Sequence, residues 1–230
     1  MPKLSGQSMV CDSSALISLT DSCFVHAIYF LKKKYRGKFI IPRAVEHECI
    51  GHPLTMKNQA LHALRIKRAI NDGMILVSSA QHNRTEEIMQ LANSIFFADT
   101  KPIRLLHDGE AEVLALALEL SIGNILMDER TTRMLVEGAE SLRIHLAREF
   151  NCEITTDEAK LSEFTRIFSK TRFFRSSELL LLAYEKGYFE DYKTLSRDAI
   201  EASLYRLKYA GCAVGFGEIE KYVAKEIRKR

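Results

Sequence analysis

The sequence predicts an α/β fold in which helices cover a central parallel sheet, followed by an all-helical C-terminal part. Two observations predict it. Short, fully apolar runs (Met9-Val10-Cys11, Phe39-Ile40-Ile41, Met74 to Val77 and Ile125-Leu126-Met127) alternate with longer stretches of helical period. That alternation is the signature of strands buried on both faces by crossover helices. From Asp157 onward the short apolar runs stop and helical periodicity alone continues. The chain is therefore divided into residues 1–156 and 157–230.

At 230 residues and 47% hydrophobic, the chain can bury one large core or two small ones. No apolar run approaches the length of a membrane span, and the N-terminus lacks a charged-then-apolar leader. The five cysteines are scattered and odd in number, which indicates neither a disulfide framework nor a structural zinc site and fits a cytoplasmic protein. The net charge of +3 is too small to name a partner. Residues 157–230 carry the excess, 15 Lys and Arg against 12 Asp and Glu, ordinary for a solvated surface.

In chain order, the first strand ends at Asp12, and Ser13 to Ile17 turns into a helix. A second helix spans Ser22 to about Tyr35, with Lys32-Lys33-Lys34 at its basic end. After the second strand, Pro42 opens a helix that carries Val45 and Glu48 on one face. The string His47-Glu48-Cys49-Ile50-Gly51-His52 resembles a zincin but fails, because its histidines are five apart rather than four. A basic helix follows from about Thr55 to Asn71, then the strand Met74 to Val77, then a helix over Thr85 to Phe97.

Residues Leu105 to Leu135 give helix, turn, strand and helix. Glu110 falls in the first turn of the first helix, Gly123-Asn124 is the stop signal, and Asp128 emerges from the strand Ile125-Leu126-Met127. Leu142 to Phe150 is read as a helix and Cys152 to Thr155 as a last strand. The C-terminal helices are Glu158–Ser169, Ser176–Lys186, Ser196–Tyr209 and Gly217–Ile227, the last two joined by a short helix–turn–helix-like connection. Phe173-Phe174, among Arg166, Lys170, Arg172 and Arg175, is read as packing aromatics with solvated charges. Arg228-Lys229-Arg230 form a basic end. The apolar faces of these helices must pack on one another, on the sheet domain or on a second subunit, so an architectural role and a homodimer are both expected.

In a parallel α/β sheet, strand ends and the starts of the next helices share one edge, where such folds bind ligands. Asp12, Glu48, Glu110 and Asp128 should meet there. Each alone has a plain alternative: Glu110 suits a helix N-terminus, and Asp12 and Asp128 suit caps. Four gathered carboxylates repel one another unless a cation neutralises them. Oxygen-only ligation points to Mg²⁺ or Mn²⁺, ions that act on phosphoryl groups.

At these residues the chain resembles the PIN-domain nucleases, the superfamily that includes the VapC-type toxins. The carriers are Val10 to Leu16, Ile41 to Glu48, Gly109 to Glu112 with the apolar helix after it, and Leu126 to Arg133. The resemblance covers roughly residues 8–155 in order. It implies a PIN-like α/β/α sandwich and a Mg²⁺- or Mn²⁺-dependent endoribonuclease acting on RNA. Asp12, Glu48, Glu110 and Asp128 are the implied catalytic and metal-holding residues, with Glu129 an additional metal candidate. It also raises an antitoxin-type protein partner. The helical extension is longer than plain toxins carry and is similar to archaeal-type members. The competing reading is a nucleic-acid-binding regulator that uses the helix pair within Ser196–Ile227, with the PIN-like part as scaffold.

Overall fold

Five of the strands lie side by side in one parallel sheet, and their order places the expected edge. The computed structural model describes residues 8–224. Along them run β1 (Met9–Cys11), α1 (Ser13–Asp21), α2 (His26–Lys34), β2 (Phe39–Ile41) and α3 (Arg43–Glu46). The chain continues through a π-helical turn His47–Gly51 and a 3₁₀ turn Pro53–Thr55 into α4 (Ala60–Asn71) and β3 (Ile75–Val77). Next come α5 (His82–Ala92), β4 (Phe96–Ala98), β5 (Lys101–Pro102), α6 (Asp108–Glu119) and β6 (Asn124–Leu126). Then follow α7 (Arg130–Glu137), α8 (Ala139–Phe150), β7 (Ile154–Thr156), α9 (Glu158–Ile167) and β8 (Arg172–Phe174). The last elements are α10 (Ser176–Glu185), a 3₁₀ stretch Glu190–Leu195, α11 (Ser196–Tyr209) and α12 (Phe216–Tyr222).

The main sheet has the order β3-β2-β1-β6-β8, all parallel. Strand β1 is followed on one side by β2 and β3 and on the other by β6 and β8, so the order reverses between β1 and β6. The central strands β1, β2 and β6 are buried at every residue, as continuous apolar runs require when helices cover both faces. The helix α6 packs on β1 and β6 and α4 on β3, which gives the α/β/α layering with a helical extension.

Several local expectations change. The helix placed over Thr85–Phe97 ends at Ala92; the β-favouring run Ile95-Phe96-Phe97 instead feeds β4. With β5 and β7 it forms a small antiparallel sheet in the order β5-β4-β7. The strand expected at Cys152–Thr155 therefore joins this second sheet, not the first. The basic helix begins at Ala60 rather than Thr55, because Pro53 starts a separate 3₁₀ turn.

The largest departure is beyond Asp157, where helices alone were expected. Arg172-Phe173-Phe174 is the edge strand β8, registered on Asn124, Ile125 and Leu126. Both phenylalanines are buried. Helix α10 follows, with Leu179 to Ala183 all buried, packed on α1, α2 and α11. Aromatic contacts add to the join: Phe30 meets Tyr188 at 5.4 Å and Phe24 meets Phe189 at 6.2 Å, both edge to face. Residues from before and after position 157 share one hydrophobic core. The end of the helix expected over Gly217–Ile227 and the basic Arg228-Lys229-Arg230 lie outside the described residues.

Candidate active site

The reversal of strand order between β1 and β6 leaves a crevice outside their C-terminal ends, the position where open α/β sheets take ligands. Asp12 follows β1 directly, and its backbone N–H donates to the Leu126 carbonyl at 2.8 Å. Asp128 stands two residues beyond β6. Local chemistry fixes both. Asp12 is the N-cap of α1, its Oδ2 accepting from the Ser14 N–H at 3.0 Å and from the Ser14 hydroxyl. The same hydroxyl accepts the backbone N–H groups of Asp128 and Glu129 at 3.0 and 3.1 Å. Ser14 thus ties the two strand ends together.

Glu110 sits on α6, where its Oε2 accepts the His107 N–H at 3.0 Å. Glu48 lies in the π-helical turn, an exposed side chain; single π turns recur at functional sites because they redirect side chains. Glu48 lies directly over Gly109, where a Cβ would stand 2.5 Å from its Oε1. Only a residue without a side chain leaves that carboxylate room next to Glu110. Glu112, one turn along α6, accepts the Ala44 N–H at 2.8 Å. That contact fixes the start of α3 on α6, and with it the relative placement of Glu48 and Glu110.

The electrostatics show which charges reach Asp12. Asp12 is 2% exposed, and its carboxyl is pushed up to about 7. Burial is the largest cause; the Ser14 hydrogen bonds oppose it, and the charges of Glu110 and Glu48 add to it. Beneath it, burial pushes up the thiols of Cys11 and Cys49, with the Asp12 charge contributing at both. Asp12 therefore lies within reach of the Glu110 and Glu48 charges, with the buried thiols of Cys11 and Cys49 close by.

Asp128 enters that edge differently. It is 1% exposed, and its carboxylate turns toward β8 and α10. Oδ1 accepts the Ser176 N–H at 2.7 Å and Oδ2 the Ser176 hydroxyl at 2.6 Å. The cap of α7 is Glu129, whose two oxygens accept the N–H groups of Thr131 and Thr132, each at 2.6 Å. The carboxylates of Glu110, Asp128 and Glu129 are thus each bonded to backbone donors. Among the described residues no three His, Cys, Asp or Glu side chains are gathered tightly enough to hold a metal ion. The donor set still fits a hard divalent cation by its chemistry: it is all oxygen, and the charges of Glu110 and Glu48 act on the Asp12 carboxyl.

Two positioning residues were not singled out from sequence. Glu112 and Ser14 lie within the stretches Gly109 to Glu112 and Val10 to Leu16 without being candidates themselves. A Ser two places after the strand-end acid was the available signal, since that is where an N-capping carboxylate finds its donor.

A parallel sheet with acids at its switch point defines a class of α/β proteins whose chemistry lies at the strand ends. The chain belongs to the PIN-domain family: the family model DUF3368, a PIN domain, matches residues 8–145, more than half of the chain. No curated protein and no solved structure matches it. The PIN domain is a nuclease fold, generally dependent on divalent metal. The matched segment contains Asp12, Glu48, Glu110 and Asp128 and stops before β7, β8 and α10. No single helix among the described residues is long and apolar enough to cross a membrane.

Proposed function

We propose that the chain is an endoribonuclease, toxin-like or RNA-processing, that hydrolyses RNA phosphodiester bonds with Mg²⁺ or Mn²⁺. The observation that carries this reading is the buried Asp12 carboxyl, pushed up to about 7 by burial and by the neighbouring Glu110 and Glu48. An acid held in that way is costly to ionise without a cation and well suited to gripping one.

Asp12, Glu48 and Glu110 would hold the ion, with Asp128 the fourth acid at the β6 side. Bound there, the ion would lower the pKa of a water and neutralise charge on the transferring phosphoryl group. The residues of the chain do the rest. Ser14 holds Asp12 to the β6 end. Gly109 leaves space for Glu48. Glu112 fixes the helix start that presents Glu48. In binding a cation, Asp12 would release its proton, so metal affinity should rise with pH.

The test is cleavage of labelled RNA with Mg²⁺, with Mn²⁺ and with EDTA, by the native chain and by Asp12→Asn. Cleavage that needs the metal and Asp12 supports the reading. Undiminished cleavage in EDTA would sink it. Retention of a DNA duplex with no cleavage of any RNA would favour the regulator reading instead.

A further inference from the structure

The cleft beside the acid site is built from the start of α7, the start of α10 and the connection between α11 and α12. Its volume is about 600 Å³, and Arg130, Arg133, Lys208 and Arg175 line it together with Glu218. It adjoins the acids through sequence neighbours: Arg130 opens α7 just after Asp128 and Glu129, and Arg175 precedes the Ser176 that holds Asp128. Arg175 is already matched, bonded to Glu218 at two nitrogens and to Glu178 at 3.2 Å. Arg133 is not matched in that way. Its side chain is 15% exposed, its Nε is 4.0 Å from Glu137, and its Nη1 is buried with no hydrogen-bond partner. A buried guanidinium nitrogen without an acceptor is costly and suggests that an anion supplies one.

Two exposed aromatic residues directly follow the cleft-lining Lys208 and Gly215 in the chain. Tyr209 is 73% and Phe216 49% exposed, with ring centroids 6.3 Å apart. Lys208 stands over the Phe216 ring at 4.4 Å and donates to the Val214 carbonyl at 2.7 Å, which orders the connection between α11 and α12. Exposed rings beside a groove of cations are the combination that binds unpaired polynucleotide, because each base offers a face to stack and each phosphate a charge to neutralise. A duplex has its bases already stacked inside and cannot use the rings.

We propose that this cleft binds a single-stranded segment of RNA, its phosphates on Arg130 and Arg133 and a base on Phe216. The proposal rests on the nuclease reading for its substrate and assigns the C-terminal helices a part in holding it. It is tested apart from cleavage. The full-length Asp12→Asn chain is titrated in EDTA against a fluorescein-labelled unstructured oligoribonucleotide and against an RNA duplex of equal length. The single strand should bind more tightly than the duplex. Phe216→Ala should weaken it about tenfold, as loss of a stacked base does, and Phe216→Tyr should restore it. Arg130→Gln with Arg133→Gln should lower the slope of log affinity against log salt by about 1.4, two phosphate contacts on a single strand. Melting temperatures of the variants, measured in parallel, separate these effects from loss of fold. No binding by the parent chain, equal affinity for the duplex, or equal loss in Phe216→Ala and Phe216→Tyr would overturn the proposal. Cleavage by the native chain with Phe216 silent in binding defeats the cleft alone. Binding as described with no cleavage under any metal defeats the nuclease reading instead.

Discussion

Ser176 donates both its backbone N–H and its hydroxyl to Asp128, at 2.7 and 2.6 Å. One residue of α10 thus occupies both oxygens of an acid that emerges from the sheet more than forty positions earlier. The pair is buried on both sides, so it couples the fold of the C-terminal part to the geometry of the acid edge.

Two substitutions at Asp128 should separate these roles. Asp128→Ala leaves the Ser176 donors buried without acceptors and should cost about 3 kcal/mol, since bonds to charged acceptors contribute more than neutral ones. Asp128→Asn keeps one acceptor oxygen and should cost about 1 kcal/mol, yet abolish RNA cleavage if Asp128 acts in the metal site. Urea unfolding and a cleavage assay on the same preparations decide it. Full activity in a stable Asp128→Asn chain would remove Asp128 from the site and leave it a purely structural acid.

The raised Asp12 carboxyl fixes a pH dependence for the metal-free chain. The folded state holds this proton up to about 7, whereas the ordinary aspartate value is 3.8. Between those limits the folded state binds more protons than the unfolded one, so stability falls as pH rises and levels off above about 7. Asp12→Asn lacks that loss. In EDTA it should match the native chain near pH 4 and exceed it at pH 8 by on the order of 2–4 kcal/mol. Adding Mg²⁺ or Mn²⁺ at pH 8 should raise the melting temperature of the native chain and not of Asp12→Asn. The reverse trend, a native chain more stable than Asp12→Asn at pH 8 in EDTA, would show that Asp12 is not the strained acid described.

Gly109→Ala tests the packing of Glu48. The added Cβ would stand 2.5 Å from Glu48 Oε1 and 3.1 Å from its Cδ. The atoms it meets are the free end of a flexible, exposed side chain, so Glu48 can swing away at a cost of about 1 kcal/mol or less. Stability should hardly change while divalent-metal affinity and cleavage fall at least tenfold. Isothermal titration with Mn²⁺ measures the first of these directly. An unaltered Mn²⁺ affinity would mean that Glu48 does not contribute to the ion.

The parts of this arrangement that were legible from sequence are those written as patterns. The runs Met9-Val10-Cys11, Phe39-Ile40-Ile41 and Ile125-Leu126 are apolar throughout because helices cover them on both faces. Once they are known as parallel strands, the edge that receives Asp12, Glu48 and Glu110 follows. β8 was not legible. The sequence marks Phe173 and Phe174 as packing aromatics, and both are buried, but three residues with a charged first member amid Arg166, Lys170 and Arg175 carry no strand pattern that would pair them with β6. Side-chain direction was also hidden. Capping preference suggested Asp128 for α7, but Glu129 performs that cap and Asp128 turns to a helix that begins at Ser176. Such a choice depends on which strand lies next door, information that local sequence does not carry.

Removing residues 157–230 should therefore do more than shorten the protein. It exposes the free edge of β6, where the Met127 N–H donates to the Phe174 carbonyl at 2.8 Å, and strips Asp128 of both Ser176 bonds. It also uncovers the faces of α1 and α2 that pack on α10. Leu179, Leu180, Leu181 and Leu182 are all buried, and at roughly 2 kcal/mol for each buried side chain they contribute an amount comparable to the whole stability of a typical domain, about 5–15 kcal/mol. An open, apolar strand edge is in addition a template for aggregation. A fragment of residues 1–156 should be insoluble, or soluble without a cooperative melting transition. Expression of that fragment beside the full chain, with thermal unfolding and size-exclusion chromatography, checks the expectation. A monomeric fragment that melts cooperatively within a few degrees of the full chain would show that the first part folds alone and that β8 and α10 are additions to a finished sheet.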